Sequence, residues 1–225
     1  MSASKLLALG ALTGVAYGVL EIAGVVVGAA SNPVPFDIFP SAATAARVAE
    51  TPTPVGVWVG FGMEVLSTLF LLAFIVRASS AVRAADENGL LARLALAAGV
   101  INVALLFASF GVMAARHIGA GHGLTAQSVI LLADLNLGSY FLSWPSMAAF
   151  VGFAAAPAIR TRALPAWLGW AGAVVAVIAL VGCLDPINLG QMAQLLPIIW
   201  IPAAGAALAI RRTGATQTTA VMIPA

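Results

Sequence analysis

Long apolar runs alternate with short polar stretches along most of this chain. Each run is at least close to the 20 or so residues that a helix needs to cross a bilayer. The runs are continuously apolar, whereas the strands of a membrane barrel alternate between apolar and polar residues. We therefore expect an all-α, polytopic membrane helix bundle with six transmembrane helices. These cover residues 6–30, 55–76, 94–115, 124–156, 167–183 and 189–210.

The segments outside these runs predict one further helix and a tail. The first run is longer than the apolar core of a secretory signal, so we expect it to be retained as a helix. After the proline-rich segment Ser31–Pro40, Ser41 can cap a short helix that ends near Glu50. This loop is either a cap on the membrane surface or a lid over a binding site. We expect a single transmembrane domain over 1–212 and a disordered cytoplasmic tail over 213–225.

Composition and charge narrow the class of protein. The chain is 62% hydrophobic and 8% charged, with a mean hydropathy of +1.05, which excludes a soluble domain. With both termini in the cytoplasm, the basic residues concentrate on the inner side, leaving only Arg47 and Arg116 outside. No basic cluster is dense enough to follow a nucleic-acid backbone, so we exclude nucleic acid as a partner. The alanine-rich, lysine-poor composition suits the cytoplasmic membrane of a GC-rich bacterium.

The fourth run is too long for a simple crossing. Its 33 or so residues would extend roughly 50 Å, against a hydrocarbon core of about 30 Å. Asp134 and Asn136 lie on nearly opposite faces, so the helix has two polar faces and is expected to lie centrally. Trp144-Pro145 predicts a kink within it.

Carboxylates inside the apolar runs locate a candidate site. A charged group in hydrocarbon costs at least a few kcal/mol and is usually retained only where it faces a cavity, a partner or a substrate. Glu21 shares its face with Tyr17 and a stripe of glycines that would let another helix approach closely. On such a packed face Glu21 needs a partner or a proton, and we expect its role to be mainly structural.

The predicted reaction centre is a pair of acids. An apolar surround favours the neutral form of Glu64, which would make it a general acid, with Asp134 as the accepting base. Hydrogen bonding between helices explains Glu64 equally well. Asp185 is a third catalytic candidate, although an Asp before a proline more often simply ends a helix. The candidate substrate-binding residues are Tyr17, Glu21, Asn102, Asn136, Tyr140 and Trp144.

Depth along the helices predicts one polar cavity. Counting 1.5 Å per residue from the cytoplasmic basic residues places the acids at mid-depth or above. The cavity would then open outward, near Arg116, His117 and His122, between the first, second and fourth runs.

Several kinds of chemistry are excluded by what the sequence lacks. Two histidines cannot supply a membrane di-iron centre, and Cys183 alone forms neither a thiol pair nor an intramolecular disulfide. Lys5, near the N-terminus, is the one lysine, so no lysine within the apolar runs can hold retinal. No pair of clustered carboxylates suits magnesium and diphosphate. We therefore expect no metal and no cofactor.

The chain also resembles known membrane families. Leu91 to Ile210, about half the chain, resembles a broad group of uncharacterised bacterial six-helix membrane proteins of the domain-of-unknown-function kind. The motif that carries the resemblance is Arg-Thr-Arg-Ala-Leu-Pro-Ala-Trp-Leu-Gly-Trp (160–170). In the placement of Glu64 and Asp185 the chain also resembles integral-membrane terpene cyclases. That second resemblance implies acid-driven cyclisation without a metal.

Three functions remain open from the sequence. The leading one is binding of an apolar lipid or isoprenoid-like molecule, with metal-free isomerisation or cyclisation by the carboxylates. The second is proton-coupled transport by the same acids. The third is an accessory subunit that associates with another membrane protein through the glycine stripe of the first helix.

Overall fold

The protein is all-α. The computed structural model describes residues 3–34, 37–84, 86, 88–161, 164–185, 189 and 191–220. Within these ranges the chain forms seven helices and no strand, which confirms the predicted class. The helices are α1 (Ala3–Ser31), α2 (Ala42–Glu50), α3 (Val55–Arg83), α4 (Leu90–Gly119), α5 (Ala126–Thr161), α6 (Ala166–Gly182) and α7 (Gln191–Ala220).

Most of these helices are suited to a membrane. In the described part of the chain, α1, α3, α4, α5 and α7 are each long and apolar enough to cross a bilayer. α6 is also apolar but has only 17 residues. Many large apolar side chains on the outer faces of these helices are exposed, such as Val19, Leu142 and Val177. The fold is therefore that of a multi-pass membrane protein.

The six helices other than α2 form a closed ring. Each packs against the next in the order α1, α3, α4, α5, α6, α7, and α7 packs against α1. Neighbours run antiparallel, because residues late in one helix contact residues early in the next, as Gly10 does with Arg77. α5 also contacts α2, α3 and α7, which agrees with the central position expected from its two polar faces.

The short helix α2 marks one end of the ring, which we call the α2 end. The Ser41 hydroxyl accepts a hydrogen bond from the Thr44 amide at 3.2 Å, as predicted for a cap. The buried faces of Ala45 and Ala49 pack against Val129 of α5. α2 therefore lies across the α2 end rather than in the wall of the ring.

The opposite half of the ring is filled mainly by apolar side chains. Phe74, Phe150 and Ile201 are completely buried there, and the rings of Phe74 and Phe150 meet edge to face at 6.3 Å. Arg77 and Ser79 are buried in the same half, whereas Glu21 and Glu64 lie nearer the α2 end.

The helices extend beyond the apolar runs. Pro145 and Pro157 lie inside α5 without ending it. α7 continues to Ala220, so 213–220 are helical although a disordered tail was expected, because extending an existing helix costs far less than starting one. Residues 221–225 of that tail lie outside the described residues, as do Arg162 and Ala163 of the resemblance motif.

Candidate functional site

α1 and α3 cross at a point where both backbones are bare. A Cβ atom placed on Gly60 would lie 2.6 Å from the Gly24 carbonyl oxygen and 2.6 Å from the Gly28 nitrogen. The two helices can approach this closely only because Gly60, Gly24 and Gly28 carry no side chain. The glycine stripe predicted on the first helix is thus used to bring α3 close to α1.

The crossing brings Glu21 and Glu64 together. A Cβ atom on Gly24 would lie 2.9 Å from Cγ of Glu64, so the stem of Glu64 lies against α1 one turn from Glu21. The two carboxyl groups are close enough to interact electrostatically. The sequence predicted a pair of Glu64 with Asp134, but the pair that the structure forms is Glu64 with Glu21.

Ser67 of α3 holds the carboxyl group of Glu21. Its hydroxyl donates a hydrogen bond to Oε2 of Glu21 at 2.5 Å and also lies 2.7 Å from the backbone carbonyl oxygen of Glu64, one turn earlier in α3. Ser67 is completely buried. The carboxyl group that Ser67 binds belongs to α1 and not to its own helix, α3.

Two tyrosines complete the group. Tyr17 is buried on α1 one turn before Glu21, and Tyr140 approaches from α5. Both tyrosines interact electrostatically with Glu21, and Tyr140 also does so with Glu64. Three helices, α1, α3 and α5, therefore contribute to one polar group. We call it the acid–tyrosine cluster: Tyr17, Glu21, Glu64, Ser67 and Tyr140.

Trp144 forms a wall beside the cluster. It is 2% exposed, and its ring meets that of Tyr140 edge to face at 5.6 Å and that of Phe141 at 4.6 Å. The indole Nε1 lies near the Tyr140 hydroxyl but makes no well-formed hydrogen bond with any described residue. A buried donor without an acceptor is costly, so this nitrogen is available to an acceptor on a ligand.

The cluster is partly open. Glu21 and Glu64 are half-buried, and Tyr140 is 37% exposed. A molecule that enters between the helices can therefore reach the carboxyl groups and the phenol. The cluster residues come from the first, second and fourth apolar runs, as expected, but the cavity beside Arg116 and His117 is lined by none of these residues.

The two candidate asparagines connect α4 to α5. Asn102 is 1% exposed and donates through Nδ2 to the Ser143 carbonyl oxygen at 2.9 Å. Asn136 donates through Nδ2 to the carbonyl oxygen of Ser109 at 2.9 Å and lies 2.8 Å from its hydroxyl. Both were predicted to bind substrate, but the geometry gives them a role in holding the two helices together.

Asp134 lies apart from the cluster. Its side chain is exposed on α5, six residues before Tyr140. That spacing places it about 9 Å along the helix and roughly 120° around it from Tyr140. The predicted base, Asp134, is therefore not on the face of α5 from which Tyr140 approaches Glu64, the predicted acid. The sequence could not show this, because contacts between helices decide which face of α5 meets α3.

Asp185 also lies elsewhere. It follows the end of α6 in a turn in which its amide donates to the Gly182 carbonyl oxygen at 3.3 Å. α6 packs against α5 and α7. The position fits the alternative reading of Asp185 as a residue at a helix end. The following Pro186 lies outside the described residues.

His117 belongs to the last turn of α4 rather than to a loop. Its ring meets those of Trp58 and Phe61 edge to face, at 5.5 Å and 6.0 Å. Over the described ranges, no three His, Cys, Asp or Glu side chains converge as metal ligands would.

The glycine stripe of α1 is occupied inside this chain. Gly14 contacts Phe74, and a Cβ atom on Gly18 would overlap the ring of Pro202 in α7. Gly10, Gly24 and Gly28 face α3. The feature that suggested a partner protein thus serves the internal packing of α1 against α3 and α7.

The fold and site have no counterpart among the proteins compared. No family model, no curated protein and no solved structure matches the chain. Its function is therefore inferred from the chemistry of the acid–tyrosine cluster.

Proposed function

We propose that this protein binds an apolar lipid or isoprenoid-like molecule whose polar end reaches the acid–tyrosine cluster. The observation that carries this proposal is the meeting of Glu21 and Glu64 beside Tyr140, on helices that otherwise face hydrocarbon. Groups of this kind are costly within a bilayer and usually serve a ligand or a proton. Nε1 of Trp144, which makes no well-formed hydrogen bond with a described residue, supplies a further contact for an oxygen on the ligand.

The hydrogen bond from Ser67 supports the role of Glu21 as a base. The Ser67 hydroxyl donates to the Glu21 carboxyl group, and its second contact is with the backbone carbonyl oxygen of Glu64 one turn earlier in α3. A hydrogen bond donated to a carboxyl group favours its ionised form, which is the form that a base needs. Two neighbouring carboxyl groups do not readily ionise together, so Glu64 keeps its proton and the two form an acid and base pair.

Such a pair is suited to metal-free isomerisation or cyclisation. One glutamic acid gives its proton to a carbon–carbon double bond, and the other carboxylate removes a proton from the resulting carbocation. Protons and charge balance in this turnover, which leaves the proton on the other carboxyl group. The cycle closes when that proton returns to the first carboxyl group. We assign Glu64 as the acid, as the sequence suggested, and Glu21 as the base in place of Asp134.

The membrane arrangement is part of the proposal. The 17 residues of α6 extend about 26 Å, the short end of the range for a spanning helix, so we include it as a sixth span. The distribution of arginines supports cytoplasmic termini. The α2 end would then face outward, and the composition supports a bacterial cytoplasmic membrane.

The test uses a photoactivatable farnesol analogue as the probe, with the full chain in nanodiscs. We expect labelling of α3 and α5 near the cluster, in competition with unlabelled farnesol. Glu64→Gln and Glu21→Gln should each weaken labelling by about tenfold, or about 1.4 kcal/mol, which is within the range for removing one partner of a buried hydrogen bond. Asp134→Asn, the same chemical change at an exposed site on α5, should have no effect. Equal labelling of all four proteins would refute binding at the cluster.

Proton-coupled transport is a second candidate, favoured by prolines inside two helices. Pro145 and Pro157 lie within α5, and Pro197 and Pro202 lie within α7. Each removes a backbone hydrogen bond and lets its helix bend, a feature of the interrupted helices of transporters. Proton uptake into proteoliposomes that is abolished by Glu64→Gln would favour transport over a lipid-binding role.

A further inference from the structure

A small cavity lies at the α2 end, away from the acid–tyrosine cluster. It has a volume of about 20 Å³ and opens to the surface between the residues that follow α1, the α2–α3 linker and the last turn of α4. Such a volume holds one atom the size of a water oxygen. One oxygen of a larger group can therefore enter while the remainder of the ligand stays at the mouth.

Arg116 gives this cavity a positive charge. Its Nε is buried and has no hydrogen-bond partner among the described residues. Asn32, Thr51, Thr53 and His117 also line the cavity, but no carboxylate does. A buried guanidinium nitrogen without an acceptor is costly, so the cavity is suited to an anionic oxygen. Guanidinium groups match phosphate in both shape and charge.

The walls of the cavity are held in place before any ligand binds. The Thr53 hydroxyl donates to the His117 carbonyl oxygen at 3.0 Å. The amide of Gly121, which has a φ of +73°, donates to the Ala49 carbonyl oxygen at 2.8 Å. These bonds join the end of α4 to α2 and to the linker after it. A preformed site loses little affinity to reorganisation.

The surroundings of the cavity point to a membrane lipid. Val55 follows the lining residue Pro54 and is 78% exposed, and Ile118 follows His117 and is 64% exposed. Apolar side chains beside a cationic cavity at the end of membrane helices lie at the level where headgroups meet acyl chains. We propose that this cavity binds the phosphate of a phospholipid headgroup, with Arg116 as its cation.

The experiment measures thermal unfolding of delipidated, detergent-solubilised full-length protein with three additives. These are phosphatidylglycerol, inorganic phosphate and a diacylglycerol with the same acyl chains. The variants are Arg116→Gln and, as a matched control, Arg47→Gln, which removes an exposed arginine from α2 at the same end of the bundle. We expect phosphatidylglycerol to raise the Tm of the wild type and of Arg47→Gln. Arg116→Gln should need at least about ten times more of the lipid for the same shift.

The additives separate the sources of the phosphate. A response to phosphatidylglycerol that depends on Arg116, with little response to inorganic phosphate, supports the lipid. A response to inorganic phosphate that also depends on Arg116 keeps the anion site but assigns it to a free ion, which overturns the lipid assignment. If diacylglycerol raises the Tm of the wild type as much as phosphatidylglycerol does, the proposal is overturned. This comparison needs only the wild type, so it decides the matter even if Arg116→Gln does not fold. Full retention of the lipid response in Arg116→Gln also overturns it.

Discussion

The crossing of α1 and α3 at Gly60 can be tested with a single methyl group. In Gly60→Ala the new Cβ would lie 2.6 Å from two backbone atoms of α1 and 2.8 Å from a third, the Cα of Gly28, where ordinary contact begins at 3.4 Å. Backbone atoms inside a helix cannot move aside individually, so the two helices must separate by most of an ångström. We expect the free energy of unfolding to fall by about 1–3 kcal/mol, the usual cost of overpacking.

Gly62→Ala is the matched control. It makes the same change two residues away on α3, where the Cβ would have no atom within 4 Å. Both variants gain the same helix propensity, about 1 kcal/mol for glycine to alanine in soluble helices. The difference between them therefore isolates the steric cost at the crossing. Gly62→Ala should be as stable as the wild type or slightly more so.

Intrinsic tryptophan fluorescence can follow the unfolding, because the chain contains five tryptophans. The two variants and the wild type would be titrated with denaturing detergent under identical conditions. Separation of the helices should also lengthen the Ser67 to Glu21 hydrogen bond, so Gly60→Ala should lose probe labelling at the cluster as well as stability. If Gly60→Ala and Gly62→Ala are equally stable, α1 and α3 do not cross at Gly60 and the pairing of the two glutamates loses its basis.

Two further predictions concern hydrogen bonds between helices. Ser67→Ala removes the donor to Glu21 and should lower the free energy of unfolding by about 1–3 kcal/mol. Ser80→Ala, at an exposed position on the same helix, serves as the reference. If the two variants unfold alike in the same titration, this bond has no structural role. Asn136→Leu removes the amide group that donates to the carbonyl and hydroxyl oxygens of the buried Ser109. It should cost roughly 0.6–1.7 kcal/mol, from the average to the maximum found for hydrogen bonds between membrane helices. Unchanged probe labelling in Asn136→Leu would agree with a structural role, whereas a loss of labelling with stability retained would restore Asn136 to the binding site.

The positions of the acids show which features of the site could be predicted from the sequence. Counting residues from the basic ends placed Glu21 and Glu64 at similar depths, and the structure has them close together. Asp134 was expected to join Glu64 because both are acids within apolar runs. Depth follows from chain length at 1.5 Å per residue, but the direction in which a side chain points around the bundle depends on which helices are neighbours.

The role of Glu21 also could not be predicted from one helix alone. The glycine stripe indicated correctly that its face is packed against another helix, and this led us to expect a mainly structural role. The structure shows that the close approach permitted by Gly24 and Gly60 is what places Glu64 beside it. The packed face of α1 is thus also the face that carries a carboxyl group of the proposed site, a combination that a single helix cannot reveal.

The sequence by itself determined that this is an all-α, multi-pass membrane protein, where its apolar helices lie, that α2 is capped by Ser41 and that α1 has a packed glycine face. These features depend on local composition and on the spacing of residues within one segment. The tertiary structure decided that Glu21, Glu64 and Tyr140 meet, that Asn102 and Asn136 join helices and that Asp134 stands apart. Those outcomes depend on contacts between segments far apart in the chain, set by backbone approach at a few glycines, and the periodicity of one helix carries no information about its neighbour.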